Sequence, residues 1–201
     1  MPALIRVGVL VLSCLLGMPA ISDSPQSLPV ALPPTEDLSA LTDLDGVSVR
    51  PFSDATTRVW VLVFVSVECP ICRRYAPEIQ RLANRYAPDG VAFSLVQSPN
   101  DATVEKTRRH LRDFGYRTPL IRDPKQCLAR WAGVTVTPEC AVYLKGVGLL
   151  YRGRIDDRHV DFGKARVAPR ERDLAGVLEA LTRGELPKAR TTPAVGCSLD
   201  R

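Results

Sequence analysis

Val59-Trp-Val-Leu-Val-Phe-Val65 is an unbroken run of β-branched, aliphatic and aromatic residues, and Cys69-Pro-Ile-Cys72 follows almost at once. A run without polar alternation suits a central strand buried on both faces of a parallel sheet. Pro70 suits the first turn of a helix, where its missing N–H would have had no partner. The sequence therefore predicts a strand ending at Cys69 and a helix over about 70–86 that holds Cys72 one turn in. Free amides and the helix dipole at such a terminus stabilise a thiolate on Cys69. Arg73 and Arg74 add positive charge beside it. Cys72 is placed to attack any mixed disulfide formed on Cys69, which makes the pair a reversible two-electron couple.

The rest of the pattern supplies a sheet and its cover. Tyr75, Ile79, Leu82, Ala83 and Tyr86 share one helical face, and Pro77 inside that helix should kink it. Val91–Val96 reads as a second buried strand. Val104, Thr107, Leu111 and Phe114 mark an amphipathic helix closed by Gly115, with His110 on its exposed side. A short segment at Leu120-Ile121 and a helical turn around Lys125–Trp131 follow. Cys140–Leu144 and Leu149–Arg152 read as an antiparallel pair, and Leu174, Val177, Leu178 and Leu181 stripe a last helix ending at Gly184. Leu41–Arg50 looks like a small N-terminal hairpin turning at Asp45-Gly46. Strands alternating with helices imply an α/β fold, a central mixed sheet flanked by helices on both faces.

The ends have a different character. Arg6 precedes the apolar run Val7–Leu16, and small residues follow at Ala20 and Ser22, so residues 1–22 have the layout of a secretory signal peptide. That run falls short of the about 20 apolar residues a membrane span needs. Val11-Leu-Ser-Cys14 also loosely resembles a lipobox, which leaves lipoprotein anchoring through Cys14 as a second expectation. Residues 23–35 form a Ser/Pro-rich flexible linker, 36–185 the folded domain and 186–201 a C-terminal tail. Export, to the periplasm or elsewhere outside the cytoplasm, places Cys69, Cys72, Cys127, Cys140 and Cys197 where disulfides persist. Their odd number argues against a purely structural disulfide framework.

Composition removes other classes. The net charge of +5 is scattered among acidic residues, and Arg73-Arg74 and Arg108-Arg109 are too short for a nucleic-acid stripe. Zinc needs four ligands, whereas the only histidines, His110 and His159, lie in separate elements. No His follows Cys72, which excludes c-type haem attachment. No metal or cofactor is expected.

From the buried strand, the Cys69-Pro-Ile-Cys72 motif, Pro77 and Thr137-Pro138 before a strand, the chain resembles the thioredoxin superfamily over about residues 36–185. The resemblance implies a cis Pro138 facing the two cysteines, with Thr137 offering backbone hydrogen bonds to substrate. Pro70, Ile71, Thr137 and Pro138 are then the substrate-binding set. The N-terminal hairpin, Leu150–Asp157 and the ending Thr192-Pro-Ala-Val-Gly-Cys197 resemble exported peroxiredoxin-like (AhpC/TSA-type) redoxins of bacteria. Three departures stand out. Val63 occupies the place of the buried Asp that thioredoxin uses to move protons, and Glu68 is the nearest carboxylate in sequence. Ser66 matches the peroxiredoxin pattern three residues before the cysteine, but Leu62 stands where that pattern has proline. No His lies between Val134 and Pro138, which weakens a likeness to Sco-type copper-delivery proteins.

The resemblance implies an exported thiol–disulfide oxidoreductase acting on protein thiols or disulfides with an unidentified redox partner. Cys69 attacks, Cys72 resolves, and Thr137 with Pro138 docks the substrate backbone. One alternative is a thiol peroxidase in which Cys69 attacks a hydroperoxide. Another is an assembly protein holding Cu(I) on Cys69 and Cys72. Ser66, Glu68, Arg73 and Cys197 are auxiliary candidates. Cys197, near a chain end, would reach Cys69 on a mobile tail as a resolving thiol, or pin that tail by a disulfide. Cys140 reads as a small buried hydrophobe. Arg152, Arg154, Asp156 and Asp157 read as a solvated ion-pair cluster.

Overall fold

The strand predicted at the centre is β1 (Val59–Val65), and all seven of its residues are buried. A computed structural model describes residues 31–32, 38–98 and 102–199; the leader, Cys14 and most of the linker lie outside the described residues. Side chains alternate across a strand, and β1 uses both faces for core. Val61, Val63 and Val65 join one apolar cluster, and Trp60, Leu62 and Phe64 join the other.

After β1 come α1 (Pro70–Tyr86), a 3-10 turn at Ala87–Asp89 and β2 (Val91–Gln97). Next are α2 (Val104–Asp113), β3 (Leu120–Arg122) and α3 (Cys127–Ala132). Two residues, Val136–Thr137, form β4, followed by β5 (Glu139–Leu144) and β6 (Gly148–Gly153). A small ribbon of β7 (His159–Asp161) and β8 (Lys164–Ala165) precedes α4 (Asp173–Thr182). The chain closes with β9 (Arg190–Thr191) and β10 (Cys197–Ser198).

The main sheet has the order β3-β2-β1-β5-β6-β9. β1, β2 and β3 run parallel, and β5 is antiparallel to both β1 and β6. Ile79 and Leu82 of α1 and Leu174 and Leu178 of α4 pack on the Val61–Val63 face, while Leu128 and Ala132 of α3 cover the other. Burial of such aliphatic side chains stabilises by about 1.5–3 kcal/mol each. Gly115 and Gly184 take left-handed conformations just beyond α2 and α4, as predicted helix stops. The stretch at 41–50 folds as a bridged loop: Thr42 bridges Ser48 within it and Arg122 of β3 outside it, and Gly46 turns it at φ +81°.

Two expectations change. His110 lies on the inner side of α2, buried beside Phe114 at 4.7 Å between ring centroids. The 10-residue helix buries Thr107 and His110, which lie three residues apart on one face, and Thr107 also reaches Gln97 Oε1 at 3.2 Å. The group Arg152–Asp157 is half-buried rather than solvated. Arg154 Nε meets Asp173 Oδ2 at 2.7 Å, Arg166 Nε meets Asp157 Oδ2 at 3.1 Å, and Arg152 lies 3.7 Å from Glu139. Different neighbours take these side chains out of water: the final segment packs over β6 beside Arg152 and Arg154, Tyr75 of α1 holds Asp156, and the stretch 166–171 wraps Asp157.

That final segment, 190–199, is part of the sheet system. β9 adds in parallel to the edge of β6, with Tyr151 opposite Arg190. Thr192 N donates to Arg152 O at 3.0 Å, and its hydroxyl meets Tyr151 Oη at 2.5 Å. β10 then pairs antiparallel with β4, Cys197 opposite Thr137, and Leu199 is buried in the second core. Among the described residues, no helix is long and apolar enough to cross a membrane.

Candidate active site

Cys69 is the N-cap of α1, in extended conformation at φ −73° and ψ 116°, with Pro70 at the first helical position. Its amide donates to Ser66 O at 3.3 Å, which closes the turn from β1 into the helix. Cys69 and Cys72 are both buried. The Cys72 thiol most of all, then the Cys197 thiol and the backbone amides of both, stabilise a thiolate on Cys69 more than burial opposes it and bring that thiol down to about 4. Burial first, and the neighbouring Cys69 second, push the Cys72 thiol well up. The pair is thus an accepting thiolate above a protonated, core-held thiol, which is the division of labour a nucleophile and a resolving group require.

Across from the helix terminus lies the loop before β5. The Thr137–Pro138 peptide is cis, and Thr137 O sits 3.1 Å from Cys69 Sγ. That carbonyl accepts a hydrogen bond from Cys69 only while the thiol is protonated, so it favours the thiol form against the other donors. Thr137 and Pro138 are buried, and the edge of β4 is already paired with β10.

Cys197 is the third sulfur. Its Sγ lies 2.7 Å from Cys69 Sγ, and both cysteines are free thiols. Burial, with the hydrogen bond to Cys69 next, pushes the Cys197 thiol up to about 12. A thiol at Cys197 therefore donates to a thiolate at Cys69.

The other candidates divide. Pro70 is exposed at the mouth, but Ile71 turns into the α1 core cluster and offers no surface to a docking chain. The helix phase decides this: position 71 falls on the face shared with Tyr75 and Ile79. Arg73 folds back to donate Nε and Nη2 to Val67 O at 3.2 and 2.9 Å. The drop at Cys69 comes from sulfur and amide donors rather than from the two arginines. Glu68 pairs with Lys106 on the surface. Ser66 Oγ accepts from Glu68 N at 3.2 Å and so shapes the turn. Cys127 is half-exposed on α3, and Cys140 is buried on β5, its Sγ 3.1 Å from Gly153 O.

Sequence reasoning missed a buried polar group beneath the helix. Tyr75 Oη donates to Asp156 Oδ1 at 2.5 Å, and the His159 ring lies 5.2 Å from the Tyr75 ring. Asp156 Oδ2 and His159 Nε2 are buried without a hydrogen-bond partner. Tyr75 reads as core by its spacing, and nothing local links it to a residue 81 positions away. Among the described residues, no three His, Cys, Asp or Glu side chains gather as a metal site.

The AhpC/TSA family model matches residues 35–154, more than half of the chain. An uncharacterised conserved protein from Geobacillus kaustophilus is 27% identical, with a TM-score of 0.73 over 92% of this chain and 98% of that one. A secreted Mycobacterium tuberculosis disulfide oxidoreductase, homologous to E. coli DsbE, is 19% identical with a TM-score of 0.51, over 72% of this chain and 98% of that one. An exposed lipoprotein thioredoxin from Streptococcus pneumoniae is 22% identical with a TM-score of 0.52, over 71% and 96%. The last two likenesses show a thioredoxin-like fold. No curated protein matches the chain.

Proposed function

The chain belongs to the AhpC/TSA family of the thioredoxin superfamily, and from that premise we propose that it is an exported thiol–disulfide oxidoreductase with Cys69 as nucleophile and Cys72 as resolving thiol. One observation carries the reading: Cys69 caps the N-terminus of α1 with the buried Cys72 one turn in, and its sulfur lies 3.1 Å from the carbonyl that precedes the cis Pro138. A low-pKa thiolate exists at every physiological pH and also leaves readily, so it serves both directions of exchange.

The Cys69 thiolate attacks one sulfur of a substrate disulfide, and the other sulfur departs as a thiolate. Cys72 then attacks Cys69 Sγ, its proton passing to the departing thiolate. The first departing thiolate takes its proton from water, so the substrate leaves as two thiols and the protein as the Cys69–Cys72 disulfide, two electrons having passed to the substrate. Pro70 is exposed at the mouth of the approach, and the Thr137–Pro138 edge beside Cys69 is held by β10. Export rests on the leader pattern of residues 1–22, and the secreted and surface-exposed proteins of like fold are consistent with it.

A second reading is favoured by the family match together with Ser66. In it the Cys69 thiolate attacks a hydroperoxide, an alcohol leaves, and the sulfenic acid condenses with a neighbouring thiol to release water.

Equilibrating the protein in graded thiol buffers, then trapping thiols and mapping peptides, tests the proposal. One Cys69–Cys72 couple is expected, with a potential between about −270 and −120 mV, the range of known dithiol oxidoreductases. If those two never pair at any poise, the exchange reading is wrong. Rapid consumption of hydrogen peroxide without acceleration of peptide disulfide reduction would favour the peroxidase.

A further inference from the structure

The C-terminal strand lies where a substrate chain would dock. β10 pairs antiparallel with β4 at Thr137, beside the cis peptide, and Leu199 N extends the pairing by donating to Thr135 O at 2.9 Å. Gly196 makes the approach feasible, since a Cβ there would fall 2.2 Å from Thr137 O. The register then delivers the Cys197 sulfur to Cys69 at 2.7 Å. An extended strand hydrogen-bonded to a sheet edge, with its cysteine facing the nucleophile, is the geometry of strand addition by a thiol substrate.

We propose that Cys197 is a third redox thiol, an internal substrate of the Cys69–Cys72 pair that carries the disulfide from the buried Cys72 to a half-exposed sulfur, where a reducing thiol recycles the protein. This rests on the exchange reading above. The transfer balances without an outside oxidant. Cys197 attacks Cys69 Sγ of the Cys69–Cys72 disulfide, the new Cys69–Cys197 bond forms, and the old bond breaks. The electron pair leaves on Cys72, which takes up the proton that Cys197 gave up. The protein stays two electrons oxidised. A reductant thiolate then attacks Cys197 Sγ and expels Cys69 as thiolate. A second reductant thiol frees Cys197, so that two reductant thiols end as one disulfide.

One feature favours this route over direct attack on the first disulfide: both of its sulfurs, on Cys69 and Cys72, are buried, whereas Cys197 is only half-buried. Cys69, brought down to about 4, is then a good leaving group when Cys197 is attacked.

The test oxidises the protein with a disulfide-bonded peptide, alkylates free thiols and maps the linked peptides. Both Cys69–Cys72 and Cys69–Cys197 linkages are expected in the native chain, and Cys72→Ser should form Cys69–Cys197 alone. Gly196→Val, which keeps all three sulfurs, should lower the ratio of Cys69–Cys197 to Cys69–Cys72 by about tenfold or more, as effective concentration falls when presentation is lost. Cys197→Ser should slow reduction of the oxidised protein by glutathione. Finding Cys69–Cys72 alone, including no linkage in Cys72→Ser, overturns the proposal and leaves the exchange reading standing. Finding Cys69–Cys197 alone in the native chain removes Cys72 as resolving thiol and the relay with it. An unchanged linkage ratio in Gly196→Val removes the docked strand as the presenting device, and overturns the internal-substrate proposal.

Discussion

Two neighbours bring sulfur to Cys69, and they are built in opposite ways. Cys72 arrives through one helical turn: three residues of spacing, an α-helix of 17 residues, and a core beneath it. Cys197 arrives from 128 positions away, on a two-residue strand whose partner strand is also two residues long. The first is protected by local geometry and by the apolar face of α1. The second depends on β9, Gly196 and Leu199 all holding their places. A reactive centre can thus be rigid on one side and releasable on the other, because local opening costs less where few buried contacts hold a segment.

The largest effect tests what both sides share. Cys69→Ser removes the common nucleophile and should cut peptide disulfide reduction by about 10³-fold or more, the order of loss when a covalent nucleophile is removed. Retained turnover would mean that neither neighbour works through Cys69.

The next tests whether the two sides differ in stability. Ile79 is fully buried under α1, and Ile79→Ala should cost about 2–5 kcal/mol in urea unfolding, the usual range for such core truncations. Leu199→Ala, at the edge of the second core, should fall at or below the low end of that range. Amide exchange should rank the same way, with Leu199 far faster than the amides of β1. If Leu199→Ala costs as much as Ile79→Ala, the tail is as firmly built as the helix, and the comparison collapses.

A pH profile sharpens the electrostatic side. Alkylation of Cys69 by iodoacetamide needs the thiolate, which is lost only as pH falls through about 4. Its rate should therefore be flat between pH 6 and 8 and drop near pH 4, whereas an ordinary thiol, titrating near about 8.5, would still be rising there. Cys197, pushed up to about 12, should resist alkylation at pH 8 and react faster in Cys69→Ser, where one cause of its rise is gone.

The smallest effect is expected at Glu68. Its exposed pairs with Lys106 and Arg73 lie outside the sulfur cluster, and Glu68→Gln should leave the urea unfolding midpoint nearly unchanged, as loss of an exposed ion pair does. A large loss of turnover in that variant would give Glu68 a proton-handling role that its placement does not suggest.

What could be read from the chain alone followed from short-range rules. The apolar run of β1 announced a doubly buried strand, because a strand with no polar alternation has no face to give to water. The Cys69–Cys72 spacing placed one sulfur at a helix terminus and the other beneath it, because a helix turn is nearly four residues long. Gly115 and Gly184 announced helix ends through their backbone freedom. His110 was misplaced within a face that periodicity had located: it lies three residues from Thr107 and four from Phe114, on the side those residues turn inward.

Tertiary structure alone decided the pairings that span the chain. Nothing in Thr192-Pro-Ala-Val-Gly-Cys197 states that its strand would lie on Thr137, that Arg154 would find Asp173, or that Tyr75 would hold Asp156. The charges at 152–157 look solvated in sequence because only the fold brings Tyr75, the stretch 166–171 and the final segment over them. Local order is set by sterics and patterning within a few residues, which the sequence displays directly. Long-range register is set by which surfaces remain to be covered after the core has formed, and only the folded chain contains that information.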